Sequence, residues 1–232
     1  MIKETIHKLN SELPATVKLV AVSKFHPFEA IEEAYQAGQR IFAESRPQEL
    51  LAKVKRLEEI RAGRGEPDYM TDVEWHFIGH LQTNKLKMVL PYVSLVQSVD
   101  SQRLLEAVNE WGSAHGKVIG VLLEPHVAAE ETKQGFSEEE LMAVLDEASA
   151  GKFGNIRFCG IMGMATFTDD EAVIRSDFQA LKDIFCRCRN AFPSLAPGFQ
   201  ELSIGMSDDY PVAIGYGSTM VRIGSMIFGA RQ

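Results

Sequence analysis

Eight short apolar runs alternate with amphipathic helical stretches along this chain, and that rhythm limits its architecture more than any other feature. The runs cover 17–23, 40–43, 75–78, 93–99, 118–123, 156–162, 201–205 and 220–223. Each is too short for an ordinary helix and several are rich in β-branched residues, so each reads as a strand buried on both faces. Between them lie stretches with apolar residues every three to four positions, among them 27–38, 46–60, 101–116, 137–150 and 169–192. Gly38, and Gly112 or Gly116, stand where helix stops are expected. Ser101 and Ser137 are N-cap candidates, and Ser137 through Glu140 spells a capping box. Strand–helix alternation implies a parallel sheet. About eight such units in 232 residues match a compact (β/α)8 TIM barrel, with an open doubly wound sheet as the alternative. No composition break divides the chain, so 1–232 is expected to form a single domain. The polar, Gly- and Pro-bearing segment 61–72 reads as a mobile surface loop.

Charge and cysteine content narrow the function classes. The formal charge is −8, from 24 basic and 32 acidic side chains, which disfavours a general role on nucleic acid or a membrane surface. No run reaches membrane-spanning length, and the N-terminal stretch lacks the apolar centre of a secretory signal. The three cysteines, Cys159, Cys186 and Cys188, fit a reducing cytoplasm. Cys186 and Cys188 sit two apart in a helical stretch and so point to different faces. The six histidines show no metal-binding spacing, and no metal site is expected. Dinucleotide, nucleophile-elbow and P-loop signatures are absent from the sequence.

In a barrel the C-terminal strand ends share one mouth, where ligands bind. Ser23-Lys24, Glu44-Ser45, Gly79-His80, Glu124, Gly163, Gly205-Met206-Ser207 and Gly224-Ser225 would all converge there. Lys24, just past the first strand, either snorkels to water or offers an amine that attacks a carbonyl. Ser207 is expected to begin a helix after the seventh strand, and Gly224-Ser225 follow the eighth. Together these suit a phosphate, because glycine admits close backbone approach and free N–H groups favour an anion. Asp208 and Asp209 read as first-turn helix charges. Arg222, inside an apolar strand, needs either a salt bridge or a ligand. His76 reads as a hydrogen-bonded core residue, and Gly79 as a place where the chain turns close to a ligand. Segment 127–136 is polar, follows the fifth strand and is placed to act as a lid. A phosphorylated aldehyde or ketone satisfies these features. Pyridoxal 5′-phosphate (PLP) and a sugar phosphate both qualify.

The motifs "LVAVSK", "EWHFIGHLQTNK", "GIMGMAT" and "LSIGMSDDYPVAIGYGSTMVRIGSMIFGAR" closely resemble the YggS/PROSC family of PLP-binding proteins. The resemblance runs from about Val17 to Arg231. It implies the barrel of alanine racemase (PLP fold type III) without that enzyme's β-rich second domain. It further implies that Lys24 holds the cofactor as an internal aldimine. Ser207, Gly224 and Ser225 would hold the phosphate, Arg222 would face the pyridine nitrogen, and Ser45 would lie near the cofactor; Met206, beside Ser207, and Gly79, at its turn close to a ligand, complete the expected cofactor-binding set. The family frequently has "FGEN" where this chain has "FAES", so Ser45 replaces an asparagine and a ring hydrogen bond is lost or water-bridged.

The implied function is non-enzymatic PLP binding in intracellular vitamin B6 homeostasis, buffering the aldehyde and delivering it to apo-enzymes. No catalytic residue is assigned, since no second base or second domain is visible. The expected partners are PLP and PLP-dependent apo-enzymes, with no nucleic acid and no membrane, and the expected state is a cytoplasmic monomer. A PLP-dependent amino-acid racemase and a Schiff-base aldolase on sugar phosphates are the alternatives, kept open by the rim carboxylates Glu44 and Glu124.

Overall fold

The computed structural model describes residues 1–127 and 135–229. Its strands are β1 (Lys18–Val22), β2 (Ile41–Glu44), β3 (Glu74–Phe77), β4 (Leu95–Val99), β5 (Ile119–Leu123), β6 (Ile156–Met162), β7 (Glu201–Met206) and β8 (Met220–Ile223). All neighbours pair in parallel and in chain order, and β8 returns to β1 through Val20↔Arg222 and Ala21↔Ile223. That closure makes a (β/α)8 barrel and excludes the open sheet, which would have left two edges unpaired.

The near-continuous apolar runs follow from having two cores. Along β1, Leu19 and Ala21 face outward into the large core between sheet and helices. Val20 and Val22 face inward, joining Ala43, Leu95, Leu122, Met162 and Met220 in a smaller core inside the barrel. A strand buried on both sides cannot show clean polar alternation.

The helices are α1 (Ile2–Glu12), α2 (Phe28–Gln36), α3 (Pro47–Arg64), α4 (Leu86–Val89), α5 (Gln102–His115), α6 (Glu138–Ser149), α7 (Glu171–Ala191), α8 (Tyr210–Gly215) and α9 (Ser225–Phe228), with a 3-10 turn at Thr83–Lys85. Both serine caps are present, Ser101 accepting from Leu104 N–H and Ser137 forming the full capping box. Gly116, at φ 61°, ends α5. Gly112 lies within the helix, where a Cβ would come 2.7 Å from the Lys117 carbonyl. It allows close packing and is no stop signal. On α7, Cys186 is exposed and Cys188 buried, as their spacing implied.

Segment 61–72 corrects an expectation. Its first residues extend α3, and the rest is tied down. Arg61 donates to the carbonyls of Tyr69 and Met70, the Tyr69 hydroxyl donates to Glu32, and Asp72 accepts from Tyr35 and Arg40. Met70 is 2% exposed. Polar composition here supplies the anchors. Of the loop 127–136, residues 128–134 lie outside the described residues.

Candidate functional site

Lys24 stands in a tight turn two residues beyond β1. The Ser23 carbonyl accepts from His26 N–H at 3.1 Å, closing a four-residue turn with Lys24 and Phe25 at its centre. Phe25 has φ 68°. Lys24 is not among the positive-φ residues, so the turn has the type II pattern, which ordinarily takes glycine at its third position. Neighbours hold it on both sides. Phe25 N–H donates to Glu49 Oε2 at 2.8 Å, and Lys53 Nζ donates to the Ser23 carbonyl at 2.7 Å. The Arg46 guanidinium lies 4.5 Å from the centre of the Phe25 ring, and His26 stacks on Phe228 of α9.

Beneath the turn is a buried ion pair. Glu44 Oε1 accepts from Lys53 Nζ at 2.5 Å and from Ser23 Oγ at 2.6 Å. Glu44 is fully buried and Lys53 nearly so. Burial pushes the Glu44 carboxyl above the usual range, and Lys53 and Ser23 draw it back. One rim carboxylate is therefore committed to structure.

Arg222 projects from β8 into the barrel and is 4% exposed. Nη1 donates to Ser203 O at 2.7 Å and Ser203 Oγ at 2.8 Å, and Nη2 donates to Gly163 O at 2.9 Å. The network continues inward. Ser203 Oγ donates to Gln97 Oε1 at 2.7 Å, and Gln97 Nε2 donates to His76 Nδ1 at 2.8 Å. Burial lowers Arg222 to about 10, against the pull of Glu124 and Asp209. It keeps its proton at neutral pH. Burial pushes His76 down to about 3, so its ring is neutral. Arginine here is held by carbonyl and hydroxyl acceptors, a third solution beside the salt bridge and the ligand weighed from sequence.

Next to Arg222 the ends of β7 and β8 come together. Met206 is in register with Arg222, and Ser207 Oγ accepts from Gly224 N–H at 3.4 Å. Ser207 does not begin a helix. It occupies a turn, and α8 starts at Tyr210. Asp208 and Asp209 therefore precede the helix. Asp209 accepts from Met206 N–H at 2.5 Å, an early hydrogen bond that holds the turn off the helical path. Gly205, at φ 96°, has no room for a side chain, since a Cβ would come 2.7 Å from Ala213 Cβ. Gly224 passes Val22, whose carbonyl lies 3.0 Å from where a Cβ would be. Ser225 opens α9 and is exposed.

Lys24, Gly224, Ser225, Arg222, Met206 and Ser207 thus occupy three consecutive strand ends, those of β1, β8 and β7. Ser45 and Gly79 lie on the other side of β1, at the ends of β2 and β3. They touch each other: a Cβ on Gly79 would come 2.1 Å from the Ser45 carbonyl. Gly79 therefore serves the close approach of two backbones, which is a packing reason independent of any ligand. Beyond it, His80 Nδ1 meets Asp100 Oδ2 at 2.9 Å beside a surface cleft of about 420 Å³.

A family model described as "Alanine racemase, N-terminal domain" matches residues 1–232. The "Pyridoxal phosphate homeostasis protein" of Haemophilus influenzae is 35% identical over 229 residues, which are 99% of this chain and 91% of that protein. This chain belongs to the pyridoxal phosphate homeostasis protein family. The structure of PipY of Synechococcus elongatus PCC7942 with PLP bound superposes with a TM-score of 0.87 at 32% identity, covering 99% of this chain and all of PipY. Alanine racemase from Corynebacterium glutamicum, 15% identical, shares the fold with a TM-score of 0.70, and the match spans 99% of this chain and 60% of the racemase. The donor set suits the group that PipY holds. It comprises a primary amine, two serine hydroxyls, glycine-bearing backbone turns and a charged guanidinium on adjoining strands, with backbone approach enforced where Gly205 and Gly224 leave no space for a Cβ.

Proposed function

We propose that this chain binds PLP at the barrel mouth, with Lys24 as covalent anchor, and serves intracellular supply of the cofactor to apo-enzymes without turning over a substrate. One observation carries the reading: the lysine turn, the buried arginine and the paired serine–glycine turns adjoin on β1, β8 and β7, and the similar PipY of Synechococcus elongatus is known with PLP bound.

When bound, the cofactor supplies an aldehyde that condenses with a primary amine and releases water. The chain's own residues do the rest. Ser207, Ser225 and the Gly224 backbone offer donors to a phosphate. Lys24 supplies the amine. Arg222, which keeps its proton, offers a ring nitrogen a donor without protonating it. That arrangement weakens the ring as an electron sink and favours holding over catalysis. Glu44 offers no mobile base, being tied to Lys53 and Ser23. Ser45, with a shorter side chain than asparagine and a single hydroxyl donor, leaves a ring hydrogen bond lost or water-bridged. The three cysteines are free thiols, in keeping with a reducing, cytoplasmic setting.

Transfer tests the reading. PLP-loaded protein mixed with an apo-form PLP enzyme is expected to restore that enzyme's activity, while incubation with amino acids in deuterium oxide leaves their α-protons in place. Rapid α-proton exchange would favour the racemase reading.

A further inference from the structure

We infer that Glu49 and Lys53, one turn apart on α3, are positioning residues for Lys24 that fix the backbone of the turn bearing it. The inference rests on the proposed reading for the importance of Lys24, but the clamp itself stands on geometry.

Type I and type II turns differ by a flip of their central peptide, which rotates ψ of the second residue by about 150°. Here that peptide joins Lys24 to Phe25, and the second residue is Lys24. The type II form forces φ above zero on the third residue, which is disfavoured for any side chain bulkier than glycine or asparagine. Phe25 nonetheless adopts φ 68°. Its N–H is the donor of the central peptide, and Glu49 Oε2 accepts that N–H at 2.8 Å. A flip would turn the N–H away from Glu49. Glu49 thus selects the strained form, and with it the direction of the Lys24 carbonyl relative to the Lys24 side chain. Lys53 holds the first corner of the same turn through the Ser23 carbonyl, and Glu44 anchors both Lys53 and Ser23. A strained residue pinned by side chains from another element, next to the proposed anchor, is a place where packing defines a functional geometry.

The test uses Glu49, because removing either member of the buried Glu44–Lys53 pair endangers folding. Two rates are measured on the full chain. One is competitive acetic anhydride labelling of Lys24 in the apo-protein, referenced to exposed Lys3 and Lys87. The other is capture of added PLP at Lys24, read by borohydride reduction and peptide mapping. Glu49→Ala is expected to change both by about tenfold, the consequence of losing a charge-assisted hydrogen bond. Glu49→Gln, which keeps an acceptor oxygen, is expected to stay near the parent. Phe25→Gly combined with Glu49→Ala is expected to recover, because glycine holds φ above zero unaided. Unchanged rates in Glu49→Ala would overturn the clamp, as would a double variant no better than Glu49→Ala. Should the parent capture no PLP at Lys24, the proposed function fails while the labelling rate still decides the clamp.

Discussion

Arg222 carries its charge inside the barrel because two backbone carbonyls and a serine hydroxyl accept three of the guanidinium's five hydrogens. Arg222→Met would strand those acceptors in a dry interior, at a cost of about 2–3 kcal/mol. Urea unfolding is expected to show that loss, and equilibrium dialysis a weaker hold on PLP. His76, at the far end of the same network, yields a pH prediction. The imidazole titrates near 6.5 in an unfolded chain and at about 3 in the fold. As pH falls below about 6, the unfolded state takes up a proton that the native state refuses. Stability therefore drops by up to about 1.4 kcal/mol per pH unit towards pH 3. His76→Gln is expected to flatten that slope in denaturant titrations between pH 6 and pH 4, and an unchanged slope would assign it elsewhere. Most of these residues were not legible as a network. Lys24, Arg222 and His76 stood out singly, but Gln97 and Ser203 gain meaning only when β4 and β7 face each other across the barrel. A signal existed: Gln97 and Ser98 interrupt an otherwise apolar strand, and a buried polar side chain demands a partner.

Helix α3 shows the same lesson one level up. Its buried face reads Leu50, Lys53, Val54 and Leu57, a helical stripe with a lysine in it. A cation on the core side of a helix announces a buried partner, and Glu44 is that partner. The sequence could flag Lys53 but could not say which carboxylate it meets. Ser207 failed for a local reason: Asp209 accepts from Met206 N–H and delays the helix to Tyr210. The element ends also set a packing limit. Gly79→Ala would drive a methyl into the Ser45 carbonyl and push β2 and β3 apart where they reach the mouth. A loss of about 1–3 kcal/mol is expected from overpacking, seen as a lower thermal midpoint. An unchanged midpoint would mean the strand ends move apart freely.

At the scale of the molecule, the barrel was legible because alternation is a global property and tolerates errors of a residue or two at each boundary. The strands at 156–162 and 220–223 match their expected limits, and the others shift by at most two residues. Barrel closure then places β1, β8 and β7 side by side, which brings residues nearly 200 positions apart to one rim. The sequence alone could name Lys24 and the serine–glycine turns, while their adjacency follows from closure. On the proposed reading this rim captures PLP through Lys24. Borohydride reduction of the protein after addition of PLP, followed by peptide mapping, tests it most directly. A yellow protein is expected, one that bleaches on reduction and carries a pyridoxyl group on Lys24, with no such label in a folded Lys24→Ala variant. A protein that stays colourless with added PLP, or a label that maps to another lysine, would contradict it.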